Sequence, residues 1–113
     1  MQTISKRKPD IRFHRSGLIE ILSKASKRLG LSGDQPQIAL LIDKDNNLYI
    51  HQDLEEGLTP SSIKGSYFRY HSVCSVNQVF SLPDIQGSPE RLSFRFGETE
   101  NGLIPIITRF TLD

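Results

Sequence analysis

Cationic side chains near the N-terminus are the strongest chemical signal in this chain. Residues 1–30 hold eight of them against two carboxylates, a balance of +6 (8 − 2), whereas residues 31–113 hold six against eleven, a balance of −5 (6 − 11). The formal net charge of +1 conceals this asymmetry. Such a chain is expected to meet an anionic partner, most commonly nucleic acid, the alternative being a solvated basic arm and helix face. The candidate nucleic-acid-binding residues are Lys6, Arg7, Lys8, Arg12, Arg15, Lys24, Lys27 and Arg28.

A second chemistry to consider is calcium binding at Asp43–Asn47. This segment places carboxylate or amide oxygens at alternate positions, as in the opening of an EF-hand loop, which then requires Gly at the sixth position and Glu at the twelfth. Leu48 and Leu54 occupy those positions instead. Because Asp and Asn are also typical turn residues, a hairpin turn is the favoured interpretation.

Histidine and cysteine offer little for catalysis or metal binding. His71 precedes Cys74 by three residues, a spacing that brings two side chains together on a helix. A zinc site needs about four ligands, and a Cys–His nucleophile pair needs a third group that orients the base. Neither is evident, so Cys74 is interpreted as a core thiol. We expect no catalytic residue, no metal and no cofactor, and hence a non-enzymatic protein.

Aromatic residues are interleaved with arginines in the strand patterns around Phe13 and Tyr67–Tyr70. Such side chains can stack on the bases of single-stranded nucleic acid, although aromatic residues on strands more often belong to the core, which is favoured here. Glycine-rich phosphate loops are not evident, because Gly30 and Gly33 are spaced for a turn and no Lys-Ser/Thr pair follows them.

Length and composition bound the class of protein. At 113 residues, 36% of them hydrophobic, the chain suffices for one domain with a modest core. No apolar run approaches the ~20 residues that span a bilayer, and no secretory signal is recognisable. Cys74 is the only cysteine, so no internal disulfide can form. A single cytoplasmic domain without membrane contact is therefore expected.

The first part of the chain is patterned as a hairpin, a short helix and a second hairpin. Residues 1–9 are polar and basic and are predicted to form a flexible arm. In residues 10–51, alternating apolar positions predict two strands joined by a Ser-Gly turn. Ser23 is expected to cap the helix and Gly30 to end it. Two apolar runs then predict the second hairpin.

The second part follows the same order. Residues 52–66 are acidic and then rich in Gly, Pro and Ser, and they are predicted to be a linker. Within residues 67–113, a strand precedes a helix that Ser72 caps. Two strands follow, the last over 103–112, with Pro105 favouring an edge position.

This shared order predicts two pseudo-repeats, each of strand, helix, strand and strand. The candidate caps Ser23 and Ser72 are 49 residues apart (72 − 23), and the following strand centres Leu40 and Phe94 are 54 apart (94 − 40). The repeat is one of pattern, because identity between the halves is slight. The predicted fold is a β-rich α+β domain, a small barrel made from the two pseudo-repeats.

The segment 17–34 resembles the swapped-hairpin motif of the AbrB/MazE/SpoVT family. That motif contains a turn Gly, two alternating apolar residues, a short helix with basic residues, a Leu-Gly-Leu/Ile step and a Gly-Asp turn. The resemblance covers residues 10–51. The positions that keep its spacing are Gly17, Ile19, Ile21, Leu29, Gly30, Leu31, Gly33 and Asp34.

Members of that family are mostly dimeric DNA-binding regulators, often antitoxins, in which two copies of the unit interleave into one barrel. The resemblance implies such a regulator, whose cations neutralise phosphates and whose arginines read guanine edges. Leu18, Leu22 and Ser26 stand where the family usually has a basic residue, a Pro and an Arg. These departures favour the alternative, a protein-interaction or accessory module that keeps the fold without DNA binding. A monomer is expected if the second part completes the barrel, and a homodimer otherwise.

Overall fold

Eight antiparallel strands and two helices make up residues 8–109, the part of the chain that the computed structural model describes. The strands form one sheet in the order β3-β4-β8-β7-β1-β2-β6-β5, which curls into a half-barrel. The prediction of a small, β-rich α+β domain is confirmed at this level. The elements are β1 (Ile11–His14), β2 (Leu18–Ile21), α1 (Ser23–Leu29), β3 (Ile38–Ile42), β4 (Leu48–Gln52), β5 (Ser62–Lys64), β6 (Tyr67–His71), α2 (Val73–Phe80), β7 (Arg91–Phe96) and β8 (Ile104–Ile107).

Alternation of apolar and polar residues builds the sheet. In β1, Ile11 and Phe13 are fully buried, while Arg12 and His14 between and after them point to the opposite face. Successive side chains of a strand point to opposite faces, so the same rule sends one row from each strand into a common core. Burying a large apolar side chain contributes about 1.5–3 kcal/mol, which fixes the register of every strand. The largest fully buried side chains are Tyr70, Phe13, Phe68 and Phe94.

The two helices begin differently. Ser72 precedes α2, and its hydroxyl accepts a hydrogen bond from the backbone N–H of Ser75 at 3.2 Å, which confirms the predicted cap. Ser23 is instead the first residue of α1, where the extended Leu22 takes the cap position without any side-chain hydrogen bond. The predicted Ser23 cap is therefore wrong by one residue. Gly30 ends α1 as predicted, with a φ of 77° that favours glycine.

Strand β8 lies inside the sheet. It is shorter than the predicted strand over 103–112, of which residues 110–112 lie outside the described residues, and it pairs with both β4 and β7. The prediction of an edge position for Pro105 is wrong. Gly97 donates its N–H to the Pro105 carbonyl at 2.7 Å, and proline can return no bond because it lacks an N–H. Only one hydrogen bond between β7 and β8 is lost in this way, so the pairing of the two strands is kept.

The predicted linker, residues 52–66, takes part in the sheet. Ser62–Lys64 forms β5 beside β6. Leu58 exchanges two backbone hydrogen bonds with Ile38, at 2.6 and 3.2 Å, and so connects β3 to the segment that leads into β5. These short pairings were hidden because Gly, Pro and Ser dominate the composition around them.

The turn between β3 and β4 confirms the hairpin interpretation of Asp43–Asn47. One carboxylate oxygen of Asp43 accepts the backbone N–H groups of Asp45 and Asn47, both at 2.9 Å. Hydrogen bonds from Asn47 and Asp45 lower the pKa of Asp43 against a smaller opposing effect of burial. The oxygens that suggested calcium therefore stabilise the turn itself.

Candidate nucleic-acid interface

The predicted basic residues lie in different environments. Lys6 and Arg7 are outside the described residues. Lys8, Lys24 and Lys27 are exposed, and none of them forms an ion pair within residues 8–109. The three arginines of the prediction that remain, by contrast, are each engaged or enclosed by the fold. The structure therefore does not bring the predicted set together as one uniform surface.

Arg28 contacts the sheet next to Pro105. Its guanidinium donates to the carbonyl of Gly97, the group that Pro105 leaves without a ladder partner, and it lies 3.4 Å from the hydroxyl of Thr99. A charged donor thus replaces the N–H that proline lacks. This contact gives Arg28 a structural role, which takes its guanidinium away from the predicted DNA surface.

Arg15 is similarly committed. Its Nε donates to the carbonyl of Pro89 at 2.9 Å, and its guanidinium carbon lies 4.5 Å from the centre of the Phe80 ring. A cation over an aromatic face at this distance is attracted by the ring quadrupole. Arg15 therefore fastens the β1–β2 turn to the end of α2 and to the loop before β7.

Arg12 belongs to a polar network around Glu20, a carboxylate only 6% exposed on β2. The strand register places Glu20 opposite Arg12 on β1 and opposite Arg69 on β6. The carboxylate accepts the Tyr67 hydroxyl at 2.6 Å and contacts Nε2 of His14. The Nε of Arg69 lies 3.5 Å from the same oxygen that Tyr67 contacts. Glu20, on β2, is thus enclosed by donors from its two neighbouring strands, β1 and β6.

The network keeps Glu20 charged. Burial raises the pKa of Glu20, but hydrogen bonds from Tyr67 and His14 and the positive charge of Arg12 outweigh it, so the pKa is lowered. The pKa of Tyr67 is raised by burial and by its hydrogen bond to Glu20. The Nε of Arg12 is buried and has no hydrogen-bond partner among the residues described, so Arg12 retains unused donor capacity.

Three arginines that the sequence analysis did not select extend this network across the sheet. Arg12 lies opposite Ser93 on β7, so Arg91 and Arg95, two positions away on either side, share its face. Arg69 joins them through Glu20. Strand alternation was the available signal, but these three residues had been counted with the acidic part of the chain. We call this surface of β7, β1, β2 and β6 the arginine face, defined by Arg12, Arg69, Arg91 and Arg95.

The arginine face is strongly cationic for its size. Glu20 is the only carboxylate within its four strands, so its formal balance is +3 (4 − 1). Neighbouring strands lie about 4.8 Å apart, which gives the face a width of about 14 Å from β7 to β6. Arg69 and Arg91 are exposed, and Arg12 and Arg95 are half-buried. The side chains therefore present guanidinium groups to solvent from a rigid sheet.

An open cleft adjoins the arginine face where β1 and β6 begin and β7 ends. Three cations from three separate segments and one carboxylate, Asp10, contribute to it. The carboxylate is partly used, since one of its oxygens accepts the Phe96 N–H at 2.7 Å. We call this open space the cationic cleft. Its lining residues are Lys8, Pro9, Asp10, Leu22, Ser23, Lys24, Tyr67 and Arg95.

Cys74 is not a core thiol. It is exposed on α2, because the buried positions of that helix are Val76 and Val79, and the prediction is therefore wrong. Among the described residues, no group of three or more His, Cys, Asp and Glu side chains is arranged to hold a metal ion.

A second surface is apolar. A groove between β3 and α2 is lined by Leu40, Leu41 and Ile42 on one side and by Val79 on the other. Leu41 and Ile42 are 41% and 43% exposed. Beyond the Ile38–Leu58 bridge, β3 has no further strand partner on this side within residues 8–109. The groove is thus bordered by a free strand edge.

Comparison with known proteins yields no match to a family model, to a curated protein or to a solved structure. Neither α1 nor α2, the helices of the described part, has the length and apolar character needed to cross a membrane.

Proposed function

We propose that this protein is a non-enzymatic DNA-binding regulator of AbrB-like type, which contacts phosphates through the arginine face and the cationic cleft. The convergence of cations from both parts of the chain carries the proposal. Four arginines stand on β7, β1 and β6, on the face of the sheet that carries the single charged carboxylate Glu20, and Lys8 and Lys24 lie beside this face. A solvated helix face explains Lys27, but it does not explain four arginines on one face of a sheet.

The spacing of the charges suits a phosphate backbone. One strand of double-stranded DNA carries a negative charge per ~3.4 Å of axis, so a strand that crosses a face about 14 Å wide presents on the order of four phosphates to it. Arg91, which is exposed, is also available to approach base edges, where guanidinium groups contact guanine bidentately. Arg69 is exposed too, but its Nε lies 3.5 Å from Glu20 and its guanidinium lies over the Tyr67 ring, so it is proposed to contact phosphates only. The proposed contact set replaces Arg15 and Arg28 with arginines of β6 and β7. Lys6 and Arg7 remain proposed as a backbone-following arm.

The proposal includes two pseudo-repeats, the second of which begins earlier than the predicted 67–113 because it takes in β5 from the predicted linker. The two units correspond strand by strand: β1 to β5, β2 to β6, β3 to β7 and β4 to β8. If each strand is replaced by its counterpart, every pair of neighbouring strands in the sheet becomes another neighbouring pair. The pair β7–β1 becomes β3–β5, which the Ile38–Leu58 bridge represents just before β5. Glu20 faces Arg69, 49 residues later (69 − 20), and Ile50 faces Ile104, 54 later (104 − 50). The separation of paired residues changes by two at each step of an antiparallel ladder, so the matching order of neighbouring strands, rather than these two values, supports a chain that supplies both units of an AbrB-like barrel.

Salt-dependent binding tests the DNA proposal. Fluorescence anisotropy with a mixed-sequence duplex is expected to show an affinity that falls with salt, with a slope of about −0.9 per phosphate contacted. The double variant Arg69→Gln/Arg91→Gln is expected to reduce that slope by about two units. Lys44→Gln in the β3–β4 turn is the control, because it removes an exposed cation far along the sheet from the arginine face. Absence of binding at low salt contradicts the proposal. So does a reduction of the salt slope by Lys44→Gln that equals half the reduction caused by the double variant, which removes two charges.

The barrel proposal has its own test. In analytical ultracentrifugation, a chain that contains both units is expected to sediment as a monomer at concentrations up to about 1 mM. Even a weak specific dimer has a dissociation constant below about that value. A stable homodimer would show instead that two chains are needed to complete the barrel.

The alternative function is a protein-interaction or accessory module that keeps this fold without DNA binding. The exposed Leu41 and Ile42 beside the free edge of β3 favour it, because an unprotected apolar edge accepts an added strand. Cross-linking in a lysate of the native host, compared between the natural chain and Leu41→Lys, tests this function. Capture of nucleic acid alone counts against it.

A further inference from the structure

The cationic cleft differs from the arginine face in which segments of the chain supply its cations. Lys8 precedes β1, Lys24 lies on α1, and Arg95 lies near the end of β7. No one segment explains the cluster, since the three residues are brought together only when the sheet forms. None of the three forms an ion pair within residues 8–109. The fold therefore holds three cations and a single carboxylate, Asp10, around one open space.

The other lining groups limit what the cleft can hold. The Tyr67 hydroxyl already donates to Glu20, so the ring acts as a wall. Asp10 keeps one carboxylate oxygen on the Phe96 N–H, and its remaining charge leaves a formal balance of +2 (3 − 1). An anion is therefore favoured over a cation or a neutral group. Because the three cations reach the cleft from three separate segments, the cleft suits a group with several acceptor oxygens, such as a phosphate.

We propose that the cationic cleft binds a single phosphate group of the nucleic-acid strand that crosses the arginine face, an inference that rests on the proposed DNA-binding function. Arg95 belongs to both surfaces and connects them. A backbone laid over β6, β2, β1 and β7 reaches the cleft at the end of β7, where Lys8 and Lys24 approach from outside the sheet. This phosphate is the one that contacts cations from three separate segments, and its position sets the register of the protein along the duplex.

Two lysines on α1 make a matched comparison. Lys24 lines the cleft, whereas Lys27, three residues later and equally exposed, does not. Lys24→Gln and Lys27→Gln change the same charge on the same helix and leave the core untouched. Thermal unfolding of both variants is expected to match that of the natural chain, which keeps any binding difference attributable to the cleft.

Affinity and salt slope for a duplex of about twelve base pairs are the first measurement. Lys24→Gln is expected to lower affinity several-fold at 0.1 M salt, with about eightfold and a slope change of about 0.9 as the upper limit, because Lys8 and Arg95 still face the same phosphate. Lys27→Gln is expected to change affinity less than twofold and to reduce the salt slope by about a few tenths of a unit. Equal losses from both variants overturn the cleft while leaving general DNA binding intact. If the natural chain binds no duplex, both proposals fail.

A titration with inorganic phosphate alone, followed by amide chemical shifts, separates a free anion from a strand. Shifts centred on Ser23 and Lys24 that Lys24→Gln abolishes support the cleft as a phosphate site. Saturation by inorganic phosphate at micromolar concentration, with no competition by the duplex, overturns the assignment to a nucleic-acid strand.

Discussion

The two halves of the curled sheet share a core face but differ on the face that points away from it. On β7, β1, β2 and β6 that face carries the four arginines and the enclosed Glu20. On β3, β4 and β8 it is mostly apolar, with Leu41, Tyr49 and Ile107 at its centre. The core face fixes strand pairing in both halves. The difference teaches that the second face is free to specialise, as a charged contact surface in one half and as an apolar edge in the other.

Removing Glu20 is expected to have the largest effect on this comparison. Glu20→Ala leaves the Tyr67 hydroxyl and His14 without their common acceptor and removes the negative charge that faces Arg12. Breaking a buried, hydrogen-bonded charge network costs about 3 kcal/mol. Urea unfolding followed by circular dichroism measures this loss. Glu98→Ala, at an exposed carboxylate after β7, is the control and is expected to stay within about 0.5 kcal/mol of the natural chain.

Acid is expected to weaken the arginine half selectively. The pKa of Glu20 is lowered in the folded state from its ordinary value of 4.5, so its contribution to stability is present above that value and is lost as pH falls through the folded one. The unfolding free energy of Glu20→Gln is therefore expected to fall less steeply below pH 4.5 than that of the natural chain. Parallel acid limbs for the two proteins would show that Glu20 carries no such linkage.

Arg28 tests the junction between the halves. Because its guanidinium satisfies the Gly97 carbonyl beside Pro105, Arg28→Ala is expected to lower the free energy of unfolding by about 1.5 kcal/mol, the value of a hydrogen bond to a charged donor. Duplex affinity is expected to change less than for Lys24→Gln. A loss of affinity without loss of stability would return Arg28 to the DNA surface on which the sequence had placed it.

The apolar half is expected to give the smallest effect. Leu41 is 41% exposed, so Leu41→Ser is expected to change the free energy of unfolding by about 0.5 kcal/mol or less. Duplex affinity is expected to remain that of the natural chain. A large loss of DNA binding in this variant would mean that both halves contact the duplex.

What the sequence predicted depends on residues that lie close together in it. The Ser72 cap, the Gly30 helix end and the turn at Asp43–Asn47 each require a few neighbouring residues, and each is confirmed. The arginine face was not predictable, because β1 pairs with β7 about eighty positions later along the chain. Cys74 was misplaced for a related reason, since the buried side of α2 is decided by the strands it covers.

Part of the candidate site could also be foreseen and part could not. Lys8, Arg12 and Lys24 were selected from the charge asymmetry and now border the proposed surface. The net charge of residues 31–113 concealed Arg69 and Arg95, since carboxylates elsewhere in that segment outnumber the cations. Charge summed along a chain thus says little about charge summed over one face of a sheet.

The proline inside β8 bears on the fidelity of strand pairing. Its ring lies on the face away from the core, and its missing N–H is directed at Gly97 rather than at β4. A slip of β8 by one residue would turn the ring into the core and delete a hydrogen bond with β4. Arg28 would at the same time lose the free carbonyl that it serves. Pro105 therefore acts as a lock that penalises misregistered assembly of the C-terminal hairpin.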